Sequence, residues 1–188
     1  GSQAIVSHLL DAGANPNSIS PSGETMLMVA AKTGVPAVIS SLLDAGAFVD
    51  AKEQIFKQTA LMVAVREGHT ETVALLLEEG ANPNAATRIG TVPEFRLPCK
   101  GTGCGSEGVG INRGGLPDHG KRDGQKGGMT PLLYAARDGL IAEVQLLLET
   151  GADFEQVEAN DISPLLMAII NGHMDIANLL MEKGANIN

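Results

Sequence analysis

Most of the residue spacings suggestive of chemistry lie in one stretch. Gly103-Cys104-Gly105-Ser106-Glu107-Gly108 has the spacing G-x-G-x-x-G, which in a dinucleotide site lets the backbone approach a pyrophosphate. That use needs a strand before the glycines and a helix after them. Leu97-Pro98-Cys99-Lys100 and Val109-Gly110-Ile111-Asn112 supply neither. Gly115 to Gly120-Lys121 resembles a phosphate-binding loop, but Arg122 stands where Ser or Thr must hold Mg²⁺, and Pro117 interrupts the run. Cys99, Cys104 and His119 are possible metal ligands, yet zinc sites usually show tighter cysteine pairs and a fourth ligand. Cys99 and Cys104 are the only two cysteines. They suit either a small disulfide closing the loop Lys100-Gly101-Thr102-Gly103 or two free thiols. A disulfide would persist only in an oxidising compartment, and so would place the chain in the periplasm or outside the cell. No nucleophile–base–acid set and no pair of carboxylates can be placed, so the chain is expected not to be an enzyme and no cofactor is implied.

This stretch, residues 85–128, differs from everything around it. It holds 12 of the 23 glycines, 7 of the 13 basic residues and 4 of the 22 acidic ones, giving +3 against −12 for the remainder. Pro93, Pro98 and Pro117 break it, and it has no helical period. Closing a loop of about 46 residues instead of 8 costs only about 1.5 kcal/mol by the logarithmic rule. A stable scaffold tolerates such an insertion without further justification.

That scaffold is written in repeats. A Gly-Ala pair recurs at 13–14, 46–47, 80–81, 151–152 and 184–185, with steps of 33, 34, 71 and 33. Twelve residues before each stands another glycine: Gly1, Gly34, Gly68, Gly139 and Gly172. Thr25, Thr59, Thr130 and Ser163 keep the same register. The long step is one repeat plus about 38 residues, which locates the insertion between Asn84 and Thr130. Each Thr or Ser is suited to accept a hydrogen bond from the free N–H groups at a helix start. Pro131 and Pro164 follow at the first helical position, where a missing N–H costs nothing. Leu27, Leu61, Leu132 and Leu165, with Ala30, Ala64, Ala135 and Ala168 three residues on, form one face of a short first helix. A second helix buries a stripe of Ile39, Leu42 and Leu43, of Val73, Leu76 and Leu77, and of Val144, Leu147 and Leu148.

Thr130-Pro131-Leu132-Leu133-Tyr134-Ala135-Ala136, Gly68-His69, Leu76-Leu77 and Gly80-Ala81-Asn82-Pro83-Asn84 together resemble the ankyrin repeat pattern. The resemblance covers roughly 1–84 and 129–188. It implies an all-α solenoid of helix-turn-helix units with hairpin-like turns, carrying one long irregular insertion. The units are 1–17 (a second helix and turn only), 18–50, 51–84, the insertion 85–128, 129–156 and 157–188. Met28, Met62, Leu133 and Leu166 replace the family's first-helix His, so its hydrogen bonds between repeats are absent and packing must replace them. This version looks more like bacterial ankyrin proteins than animal ones. His69 and His173 fall at the family's structural Gly-His site and His8 on a second helix, which leaves only His119 for chemistry. Neither end carries a polar cap, so the expectation is a segment of a longer array.

The resemblance implies a protein partner bound on the concave face, at turn tips and at the ends of the first helices. The candidates there are Ile55, Phe56, Arg66, Glu67, Tyr134, Arg137, Asp138, Ile162 and Asn171. Arg96, Lys100, Arg113, Lys121 and Arg122 are the candidates within the basic insertion. Glu78, Glu79 and Glu149 read as a solvated rim. A net charge of −9 argues against nucleic acid, and no apolar run approaches the roughly 18 residues needed to span a bilayer. The alternatives are end-to-end assembly with other copies of the chain, or a small ligand or metal held by the insertion.

Overall fold

The structure is a computed structural model that describes residues 3–91 and 125–186. The described helices are α1 (Gln3–Asp11), α2 (Met26–Thr33), α3 (Pro36–Asp44), α4 (Ala60–Glu67), α5 (Thr70–Glu78), α6 (Pro131–Asp138), α7 (Ile141–Glu149), α8 (Pro164–Asn171) and α9 (Met174–Glu182). They stack in two layers. The first helices follow one another as α2, α4, α6 and α8, and the second helices as α1, α3, α5, α7 and α9.

Each first helix starts where the hydroxyls predict. The side chains of Thr25, Thr59, Thr130 and Ser163 accept from the amides of Met28, Met62, Leu133 and Leu166 at 3.2, 3.4, 3.2 and 3.3 Å. Such caps are worth about 1 kcal/mol each. Leu27, Leu61, Leu132 and Leu165 are buried, as are Ala30, Ala64, Ala135 and Ala168, so the helices meet across small and branched side chains in turn. Met28, Met62 and Leu133 are fully packed between neighbouring helices. Packing thus replaces the first-helix histidine at these three positions, whereas Leu166 in the last described repeat is exposed.

Polar ties between repeats nevertheless exist, at other positions. His69, ahead of α5, donates from Nε2 to the Lys32 carbonyl at the end of α2 (3.1 Å). His173 does the same to Arg137 (3.1 Å). The intervening repeat has Leu140 in place of His, and there the Thr70 hydroxyl of α5 bonds the buried Glu143 carboxylate of α7 instead. A second ladder runs along the turns. Asn17, Asp50, Asn84 and Glu155 accept through side-chain oxygens from the amides of Phe48, Asn82, Asp153 and Asn186 at 2.8, 3.0, 2.7 and 2.9 Å. One oxygen-bearing side chain per repeat holds the next repeat's turn in register.

The two ends of the glycine-rich segment join this turn layer. β1 (Gly90–Thr91) and β2 (Gln125–Lys126) pair antiparallel, with Gly90 opposite Lys126 and Thr91 opposite Gln125. Below them the Thr87 amide donates to the Met129 carbonyl, the Thr87 carbonyl accepts from the Gly128 amide, and the Thr87 hydroxyl accepts from the Met129 amide at 2.9 Å. The Arg88 amide reaches back to the Phe56 carbonyl, and the Ala159 amide forward to the Gly127 carbonyl. Gly127 is required here. Its φ is +120°, and a Cβ would lie 1.9 Å from the Arg88 carbonyl oxygen.

Candidate functional site

The described site residues fall into two groups. At the ends of the first helices, Arg66 and Glu67 close α4, Arg137 and Asp138 close α6, and Asn171 closes α8. Their backbones lie on one face because the helices stack in register. Each arginine is held by the acid beside it: Arg66 to Glu67 at 3.3 Å, and Arg137 to Asp138 by two bonds of 2.7 and 2.8 Å. Asp138 therefore raises the already high pKa of Arg137 further. The Arg137 guanidinium also sits 5.1 Å from the centre of the Tyr134 ring, a cation–π distance. Asn171 turns its amide back to the Met167 carbonyl at 2.8 Å. Glu78, Glu79 and Glu149 are exposed.

The second group surrounds a cleft of about 400 Å³ at the root of the insertion. The turn before α4 supplies Ile55 and Phe56, which are 60% and 55% exposed. Tyr134 of α6 forms part of the wall but is only 7% exposed, and its hydroxyl accepts from Gln58 at 3.2 Å. Of the tyrosine, only an edge is open to a ligand. Arg88, Lys126 and Met129, which the sequence did not single out, complete the cleft. Ile162 lies apart from it, half-buried against the core in the turn before α8.

A buried carboxylate shapes the turn that carries Phe56. Glu53 is nearly inaccessible, and it accepts from the amides of Ile55 and Phe56 at 2.6 Å and of Gln58 at 3.1 Å. Glu158 plays the same part in the later turn, bonding the Asn160 amide and side chain at 2.9 Å. The signal for both was an acid at the mouth of a polar turn, where free amides need an acceptor.

Arg96, Lys100, Arg113, Lys121 and Arg122, the candidate disulfide Cys99–Cys104, and His119 lie outside the described residues. Among the described residues no three His, Cys, Asp or Glu side chains gather as a metal site, and no helix is long and apolar enough to cross a membrane.

Relatives share parts of the chain. It is 35% identical over 60 residues to a glycerophosphocholine phosphodiesterase of Candida albicans, covering 32% of this chain and 5% of that protein. It is 43% identical over 56 residues to human protein fem-1 homolog A, covering 30% and 8%. It is 40% identical over 62 residues to the mouse B-cell lymphoma 3 protein homolog, covering 32% and 14%. The matched stretches are thus a small part of those relatives, whose names point to unlike activities. The family model of ankyrin repeats (three copies) matches residues 1–87 and 111–188. With the capped first helices, the two-layer stack and the repeated turns on the same register, the chain belongs to the ankyrin repeat family, whose repeats serve protein interaction.

Proposed function

We propose that this chain is a non-catalytic scaffold that binds a protein partner through its concave face and the basic insertion. The observation that carries this reading is the division of labour within each repeat. The residues that recur go into caps, core and turn ladders. The pairs Arg66–Glu67 and Arg137–Asp138, with Asn171, close the first helices and take no part in caps, core or turn ladders. A rigid backbone under two partly exposed arginines, Arg66 and Arg137, suits protein recognition, because little ordering remains to be done on binding. The contribution of the insertion rests on its +3 charge against the −12 of the rest. Capture of a partner from the native source, followed by Arg66→Ala and Arg137→Ala, tests the proposal. Loss of the partner with an unchanged helical spectrum is expected. Retention by both variants, together with retention after the insertion is replaced, would remove the proposal.

End-to-end assembly is the second reading, and exposed apolar residues favour it. Ile5 and Leu9 on α1, and Ile170, Met174 and Met181 on α8 and α9, are exposed at opposite ends of the stack. An open head-to-tail contact would grow with concentration. Sedimentation showing one species at all concentrations would rule it out.

A further inference from the structure

We infer that the cleft at the root of the insertion is a docking site for an acidic peptide segment of a partner protein, one that pairs an aromatic or aliphatic side chain with neighbouring carboxylates. The inference rests on reading the chain as a protein-binding stack and specifies a partner chemistry for one part of it.

Ile55 and Phe56 supply the apolar half of the cleft. Both are more than half exposed, yet neither sits on a loose loop. The Glu53 carboxylate holds their two amides at 2.6 Å, and the Phe56 carbonyl accepts from the Arg88 amide at 2.7 Å. An aromatic ring presented on a backbone tied at both its N–H and its C=O is pre-organised, so a ligand that covers it does not first have to order it. Met129 and the open edge of Tyr134 lie beside it in the same cleft, which gives a buried side chain apolar contacts on more than one side.

Charge supplies the other half. Arg88 and Lys126 line the cleft, and no carboxylate among the described residues does. Both are exposed, and neither forms an ion pair with any described residue. Lys32, Arg66 and Arg137, by contrast, are each engaged by an acid. The backbone ladder that joins Gly90 to Lys126 and Arg88 to Phe56 fixes the backbone of both cationic residues at the rim of the same cleft as the apolar residues. Two cations match one or two carboxylates. They do not make a track for a nucleic acid, which would also meet the repulsion of a chain of net charge −9.

The test uses the full chain and a fluorescein-labelled peptide of sequence Asp-Glu-Phe-Leu-Glu-Asp, followed by fluorescence anisotropy. The controls are Asn-Gln-Phe-Leu-Gln-Asn and a peptide with Ala-Ala for Phe-Leu. The acidic peptide should bind, and its affinity should fall as salt rises. Arg88→Gln combined with Lys126→Gln should weaken it roughly tenfold or more and flatten the salt dependence, and Phe56→Ala should weaken it by a similar factor. Arg66→Ala, which lies outside the cleft, should leave it unchanged. Equal binding of the acidic and neutral peptides, or indifference to the Arg88 and Lys126 changes, would overturn the inference. So would binding seen only after residues 92–124 are replaced by a short Gly-Ser linker, which would assign the cleft to the chain's own segment. If a captured native partner is lost with Arg66→Ala and Arg137→Ala but kept with the Arg88 and Lys126 changes, the concave-face reading stands and this one fails.

Discussion

Gly34 and His69 form a matched pair across two repeats. The glycine closes α2 at φ +63°, and a Cβ there would lie 2.4 Å from the His69 ring. That ring is in place because its Nε2–H bonds the Lys32 carbonyl. Gly172 closes α8 at φ +81°, with open space where a Cβ would go. Gly172→Ala should therefore cost about 1 kcal/mol, the strain of a left-handed alanine. Gly34→Ala should cost about 1 kcal/mol more, because the ring must also leave its hydrogen bond. Chemical denaturation checks both, and in a His69→Ala background the excess should disappear. The Lys32 ammonium, followed against some burial by the Ser22 hydroxyl, holds the Glu24 carboxyl below its ordinary value of 4.5. The folded state thus takes up this proton less readily than the unfolded state. The stabilisation is present above 4.5 and is lost as pH falls through the lower folded value. Both groups are partly exposed, so the effect should stay below about 1 kcal/mol. The melting temperatures of the wild type and of Glu24→Gln should converge on acidification and differ most near neutrality.

The turns are stabilised at the scale of elements by acids that the helices do not use. Glu53 alone satisfies three amides of the segment leading into α4. Hydrogen bonds to a charged group are worth about 1.5–3 kcal/mol, and removing this acceptor leaves part-buried amides without a partner. Glu53→Ala should lower stability by about 2 kcal/mol. It should also loosen Phe56, seen as faster amide exchange at Ile55 and Phe56 than at the second-helix residues Val73 and Leu76. Unchanged exchange at these two amides would mean that the Arg88–Phe56 bond alone holds the turn. The sequence shows the acid and the polar turn, but not the direction in which the carboxylate folds back. The side-chain ladder of Asn17, Asp50, Asn84 and Glu155 was legible as a recurring position. Its role was not, because three different residue types fill it and only their oxygens are shared.

For the whole molecule, the insertion is rooted in the stack and not simply hung on it. Its first and last residues pair with each other, with the turn that carries Phe56 and with the turn before α8. Replacing residues 92–124 by a short Gly-Ser linker should leave the helical transition cooperative. Stability should change by no more than about 2 kcal/mol, the scale of the closure entropy involved. Replacing 87–128 should cost more, because the buried Thr87 and its bonds to Met129 go as well. Thermal unfolding followed by circular dichroism distinguishes the two.

By itself the sequence determined the period, the helices and their caps, and the buried face. Each of these depends on residues within one turn of helix or one repeat, and five copies of the Gly-Ala marker spell them out in one register. Phe56 and Tyr134 could be named from the sequence as residues near one face. That Tyr134 is nearly buried, that Arg88 and Lys126 stand beside Phe56, and that a glycine at 127 lets these arms cross were decided by tertiary structure alone. The physical reason is distance along the chain. Phe56, Arg88, Lys126 and Tyr134 are brought together by backbone bonds between segments more than thirty residues apart, and local pattern carries no record of such pairings.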